Sequence, residues 1–264
     1  MLRAMHRLVD AEPWVIDDTA SVALFGDAVR AKLATDPSWS ADEWRTVLRG
    51  HVLARSAFAE ERLRAAVERG ARQCVLLGAG FDTFAYRQPA WMDGVRVFEV
   101  DAPATQQAKR ERLRCAGIVE PDNVVFAAID FERWSLAHGL QAAGFDATAQ
   151  TFFSWLGVMV YLRREAVDAV FRYVASLPSG SEITFTFTQS GGNEVLAQSV
   201  AEVGEPLRTR IDAAEVEPML RRFGFRDVKV LSLDEAQAFL GVRNDALRLP
   251  LRDSMATAVV PALE

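Results

Sequence analysis

A chain of 264 residues, half of them apolar and a quarter charged, has the size and composition of one α/β globular unit. Its net charge of -6 argues against a nucleic-acid-binding face, which needs a basic surface. No apolar run reaches the roughly 18 residues of a membrane span, and the start MLRAMHRLVDAEPW has no apolar signal core, so a cytoplasmic protein is expected.

Residues 1–70 read as a helical cap or lid, and 71–264 as the core. Asp18 or Thr19 can cap a helix running to about Leu33, broken by Asp36-Pro37. Ser40, with Glu43 three residues on, has the pattern of a capping box for a long helix to about Arg69. Trp44, Val47, Leu48, His51, Val52, Arg55, Phe58 and Leu63 recur along it at mostly three- and four-residue spacing. His51 and Arg55 share that face; spacing leaves open whether Arg55 snorkels to solvent or points into a site.

A buried strand, Cys74 to Leu77, runs into Gly78-Ala79-Gly80, and a second, Val95 to Val100, ends on Asp101. Pro103 starts a helix to Cys115, and Asn123 to Ile129 is a third strand closing on Asp130. A helical stretch from Glu132 to Ala143 leads to a fourth strand, Thr151 to Trp155, and a helix spans Arg163 to Ser176. Glu182 to Thr188 alternates as a fifth strand, followed by a flexible stretch from Gly191 to Pro206 with a helix near Glu194 to Val203. Asp212 caps a helix to Phe223 that Gly224 ends; Phe225 to Leu231 and Met255 to Val260 are the last two strands. This alternation predicts a mostly parallel sheet with helices on both faces.

Strand, glycine turn, crossover, strand and terminal acid form a nucleotide-binding half-unit. The glycines let a ligand approach the backbone, and Asp101 can accept from two ribose hydroxyls. The dinucleotide fingerprint wants a further glycine where this chain has Thr83, so no pyrophosphate cradle is made. That points to S-adenosylmethionine over NAD.

The strings HVLARSAFAEERL, VLLGAGFDTFAYR, VFEVDAPATQQAKRERL, AAIDFE and SWLGVMVYL resemble the leucine carboxyl methyltransferase family, in particular its bacterial S-adenosylmethionine-dependent branch with polyketide-type carboxyl and O-methyltransferases. The resemblance runs from about Trp14 to the end and implies a class I, Rossmann-like methyltransferase fold of seven strands with a reversed last strand and an N-terminal helical lid. It implies that Arg55 grips the cofactor's carboxylate, as a guanidinium fork can. It further implies Gly78, Ala79, Gly80 and Asp82 along the cofactor, Asp101 and Ala102 at the ribose, and Asp130 and Phe131 at the adenine. Leu156 falls beside the sulfonium where much of the family has glutamate, so an acid-base role for this position is not expected.

A carboxylate acceptor is ionised at neutral pH and needs no base, whereas a hydroxyl does. Of the three histidines, His6 is expected in a mobile end and His138 near a surface helix end, which leaves His51 as candidate base. Tyr161 can reach an acceptor or pack in the core. Arg87 is expected to pair with a local acid; Lys109 takes no role; Cys74 and Cys115 are expected as buried thiols, too few for a zinc site. The sequence therefore predicts O-methylation of a small molecule, most readily a carboxylate of secondary metabolism, without nucleic acid, membrane or metal. A non-catalytic binding protein of this fold and an NAD(P)-dependent reductase are the rivals; the missing glycine and the absence of a Tyr-x-x-x-Lys pair count against the latter.

Overall fold

The computed structural model describes residues 1–131, 134–190, 207–243, 245–250 and 253–262. The sequence-predicted flexible stretch from Gly191 to Pro206 and its helix lie outside them. Seven strands form one sheet in the order β3-β2-β1-β4-β5-β7-β6: β1 Gln73–Leu77, β2 Arg96–Asp101, β3 Val124–Ala128, β4 Thr151–Trp155, β5 Glu182–Thr188, β6 Asp227–Val230 and β7 Asp253–Val259. The first five pair in parallel; β7 runs antiparallel between β5 and β6. The expected reversed last strand is present.

Every residue of β1 and β4 is buried, because their alternating side chains serve two cores. Val75 and Leu77 face one core with Phe153, Trp155 and the helices α5 (Leu136–Ala142), α6 (Arg164–Ala175) and α7 (Ala213–Phe223). Cys74 and Leu76 face the other, shared with Leu63 and Ala66 of the long helix α3 (Glu43–Glu68). Further along α3, Leu53, Ala54 and Phe58 pack on Met255 of β7 and on α8 (Leu233–Ala238). Glu182, fully buried at the start of β5, pairs with Arg62 at 2.6 Å and with Arg69, pinning α3 to the sheet. The remaining helix of the core, α4 (Pro103–Cys115), opens on proline as expected.

The start of the chain differs from expectation. Residues Leu2–Val9 form a helix, α1, packed on α2 (Thr19–Thr35) around Met5 and Val29. His6 is fully buried, not in a mobile end: its Nδ1 lies 2.8 Å from Asp10, and its Nε2 accepts from the Val15 N–H at 3.0 Å. Arg49 of α3 forks onto the same Asp10 at 2.7 and 2.8 Å. Leu2, Met5, Leu8 and Val9 recur at helical spacing, and a buried cluster of His6, Asp10 and Arg49 fixes the helix in place. The α3 cap is Asp42, which accepts from Arg45 N–H at 3.2 Å, rather than Ser40. Ser40 contributes its carbonyl, which accepts from Arg49. Cys74 is buried, but Cys115 is exposed at the end of α4, outside the core.

Candidate functional site

The sheet order reverses direction between β1 and β4, and a cavity of about 270 Å³ opens at their C-terminal ends. An open α/β sheet binds ligands at this position, because the connections leave in opposite directions and expose strand-end backbone. The wall contains Leu76 to Asp82 from β1 and its turn, Ser154 and Leu156 to Val158 from β4, Arg55 and Ser56 from α3, and Arg3 from α1.

Two glycines let these walls approach. Gly78 has φ +65°, and a Cβ there would lie 2.4 Å from Val158 Cγ2. Gly157 has φ +72°, and a Cβ there would lie 2.4 Å from Arg55 Nη1. The Arg55 guanidinium therefore points inward over the β4 turn, which resolves the choice left open by helical spacing. The Gly157 N–H donates to Thr186 Oγ1 at 2.7 Å and holds that turn in place.

Asp101, at the end of β2, accepts from Gly80 N–H at 2.6 Å and from Ala102 N–H at 2.7 Å. Its carboxylate is thus fixed against the glycine turn. Ile129 N–H donates to the Asp101 carbonyl at 2.8 Å, which brings Asp130 and half-buried Phe131 to the adjoining end of β3. Gly78, Ala79, Gly80, Asp82, Arg55 and Leu156 line the cavity; Asp101, Ala102, Asp130 and Phe131 do not.

Asp82 is the acid of the cavity wall. Burial alone would raise its carboxyl, but the charges of Arg3, Lys109 and Arg87 and the Phe84 N–H outweigh that and hold it at about 2. His51 lies one turn before Arg55, buried and outside the cavity wall, with no partner for Nδ1 among the described residues. Burial, reinforced by the Arg55 charge, lowers its imidazole to about 3. So weak a base is poorly matched to a hydroxyl proton. Tyr161 closes the short turn after β4, half-buried and likewise outside the wall.

Several residues were not visible in the sequence. Arg3 lines the cavity, and Asp18, found there only as a helix cap, is a buried hub. Asp18 accepts from Ser21 N–H at 2.8 Å and Thr83 Oγ1 at 2.5 Å, and Arg3 approaches it at 3.4 Å. Thr83 thus ties the glycine turn to α2. Arg87 pairs with Glu60 of α3, 27 positions away, at 3.0 Å in a partly buried place. Lys109, assigned no role from sequence, is buried with Nζ 2.7 Å from buried Glu99.

The sequence profile described as "Leucine carboxyl methyltransferase" matches residues 1–175. The chain is 33% identical over 241 residues to the Bacillus subtilis protein named "Putative S-adenosyl-L-methionine-dependent methyltransferase YktD", covering 86% of this chain and 78% of that one. The chain belongs to the leucine carboxyl methyltransferase family. A Streptomyces coelicolor relative with the same style of name, SCO7813, is 37% identical over 142 residues; the match takes in 53% of this chain and 49% of that one. Among solved structures, a "duf574 family protein" from Streptomyces avermitilis superposes with a TM-score of 0.62 at 19% identity, over 98% of this chain and 97% of that one. A "putative methyltransferase" from Thermobifida fusca gives 0.61 at 19% identity over 91% and 93%. At that identity the two structures speak for the fold, which is the α/β class expected from the family resemblance. No helix among the described residues is long and apolar enough to cross a membrane, and no described cluster of His, Cys, Asp and Glu could hold a metal.

Proposed function

We propose that this chain is an S-adenosylmethionine-dependent O-methyltransferase that converts a small-molecule carboxylate to its methyl ester. The observation that carries the reading is Arg55: a guanidinium packed on the Gly157 turn and lining the same switch-point cavity as Gly78-Ala79-Gly80 and Asp82. A ligand that is adenosine at one end and an α-amino acid at the other fits this set. Arg55 would take the amino-acid carboxylate through charged hydrogen bonds. Asp82, ionised under the field of its arginines, would face the ammonium. Asp101 would accept from the ribose hydroxyls, its orientation already fixed by Gly80 and Ala102 N–H groups. Asp130 and Phe131, beyond β3, would flank the adenine, and residues 1–70 would act as a cap over the site.

When bound, the cofactor supplies an electrophilic methyl on a sulfonium. What the protein adds is alignment and a shielded site. Leu156 in the wall contributes no charge and no proton acceptor, and His51 is too weakly basic to serve a hydroxyl. Both support an acceptor that arrives ionised, hence a carboxylate. Tyr161 could position that acceptor.

Titration calorimetry with S-adenosylmethionine, S-adenosylhomocysteine and NADH tests the cofactor: binding of NADH alone would sink the reading. Transfer of label from methyl-labelled cofactor into base-labile esters in a cell extract tests the reaction. Label only in base-stable ethers would move the acceptor to a hydroxyl.

A further inference from the structure

We infer that Gln106 of α4 is a positioning residue for adenine recognition: its side-chain amide holds the end of β3, and with it Asp130 and Phe131, at a fixed place against Asp101. The inference rests on the S-adenosylmethionine reading above, in which Asp101 meets the ribose and Asp130 and Phe131 the adenine.

Gln106 stands in the first turn of α4 and is only 7% exposed. Its Nε2 donates to the Glu99 carbonyl of β2 at 2.9 Å and to the Ala127 carbonyl of β3 at 2.8 Å. A primary amide carries two N–H bonds on that nitrogen, and here each goes to a different strand. With two carbonyl oxygens in front of it, the amide can present only its nitrogen. Asp101 lies two residues beyond Glu99, and Asp130 three beyond Ala127. The amide therefore joins the strands just below the ends from which both acids leave.

The end of β3 needs such a tie, because β3 is an outer strand with β2 as its one sheet neighbour among the described residues. Asp101 is already pinned by the Gly80 and Ala102 N–H groups. Past the amide, the Ile129 N–H to the Asp101 carbonyl carries the pairing on towards Asp130. The face of α4 that bears Gln106 also bears Lys109 and Arg110. Lys109 Nζ meets Glu99 of β2 at 2.7 Å, and the Arg110 guanidinium lies 4.7 Å from the centre of the Phe126 ring of β3. Each of these holds the helix to one strand, whereas Gln106 ties the two strands to each other. A ligand that bridges Asp101 and Asp130 meets a spacing set beforehand, which lowers the ordering cost of binding.

The test compares calorimetric Kd values for three ligands: 5′-methylthioadenosine, 5′-methylthioinosine, in which a carbonyl replaces the exocyclic amine that Asp130 would accept from, and 2′-deoxy-5′-methylthioadenosine. The unaltered chain should favour 5′-methylthioadenosine over each analogue by about tenfold or more, the scale of a hydrogen bond to a carboxylate. Gln106→Met, of similar length but without donors, should narrow the preference over the inosine analogue to about threefold or less. Its preference over the deoxy analogue should stay within about twofold of the original, because Asp101 keeps its own two N–H bonds. A merely structural prop would weaken all three ligands by one factor and move neither ratio. Arg110→Met, on the same helix face, should move neither ratio either. An inosine ratio that survives in Gln106→Met, a collapse of both ratios, or an equal narrowing in Arg110→Met would overturn the inference. An unaltered chain that bound none of the three, or did not favour adenine, would instead bring down the cofactor reading and the inference with it. Melting curves establish that each variant is folded. Should Gln106→Met not fold, Gln106→Asn, which keeps the donors on a shorter stem, is read in the same way; a chain that folds with neither makes Gln106 a residue of the fold alone and overturns the inference.

Discussion

The Arg55 guanidinium rests on the backbone of Gly157 so closely that a methyl group at that α-carbon would lie 2.4 Å from Nη1. One residue reaches from the long helix α3, the other from the turn after β4, and both line the cavity. Gly157→Ala should therefore do two things: force a left-handed alanine, costing about 1–2 kcal/mol, and displace Arg55. Gly117→Ala separates them, because Gly117 has φ +67° and nothing within 4 Å of its would-be Cβ. Both variants should lose comparable stability in urea melts, but only Gly157→Ala should also lose S-adenosylhomocysteine affinity. Retained affinity in Gly157→Ala would mean that Arg55 does not need its present position.

Arg55→Ala tests the proposed grip on the cofactor's carboxylate directly. The expected loss is more than about 1.5 kcal/mol of S-adenosylmethionine binding, or upwards of tenfold in Kd by calorimetry, since a charge-assisted hydrogen bond disappears. Arg55→Lys should fall between, because an ammonium cannot fork onto a carboxylate. Unchanged affinity in Arg55→Ala would remove the assignment.

The core of this arrangement is legible in the sequence, and the physical reasons are specific. β1 announces itself as an apolar run, β4 as a short aromatic-rich one and β5 by its β-branched alternation, so all three stand within a residue of where their composition puts them. The cap of α7 and the glycine that ends it are local chemistry and were equally readable. The seven-stranded class I form with its reversed last strand came from family resemblance, and the sheet order agrees with it. Long-range ion pairs leave no such trace. Arg3 meets Asp82 across 79 positions, and Glu182 meets Arg62 across 120. The cap on α3 misled because Ser40 and Asp42 are both good capping residues two positions apart, and geometry chose the second. Lys109 looked like any lysine of a polar helix, because nothing local says that its partner is a buried strand residue.

His51 gives a prediction in pH. Burial and the Arg55 charge put its folded pKa at about 3, against about 6.5 for a free imidazole. The unfolded chain binds the proton first as pH falls, so stability is lost progressively from pH 6.5 down towards 3, at up to about 1.4 kcal/mol per unit. His51→Leu should abolish that component and give a shallower acid limb in urea-denaturation curves, with stability near neutral pH equal or higher. Methyl transfer should persist in the variant. Loss of transfer with normal cofactor binding would restore His51 as the base.

The buried Glu99–Lys109 pair supplies the last prediction. Glu99 is fully buried in the middle of β2; Oε2 meets Lys109 Nζ at 2.7 Å and Tyr86 Oη at 3.2 Å, while Oε1 has no partner among the described residues. Burial raises its carboxyl to about 6 even with the Lys109 charge opposing. Lys109→Met removes that opposition and leaves a buried carboxylate unpaired, a change that typically costs about 3–5 kcal/mol. The sign of the pH dependence follows from linkage. An acid whose folded pKa lies above its unfolded value contributes stability that is full below the unfolded pKa and is lost as pH rises through the folded one. The deficit of Lys109→Met should thus be small near pH 4.5 and grow through pH 6 to 8. The double variant Lys109→Met with Glu99→Leu should recover most of it at pH 8, because no charge is then buried. A deficit independent of pH, or one that the double variant fails to relieve, would mean that Lys109 stabilises the fold by packing its stem and not by neutralising Glu99.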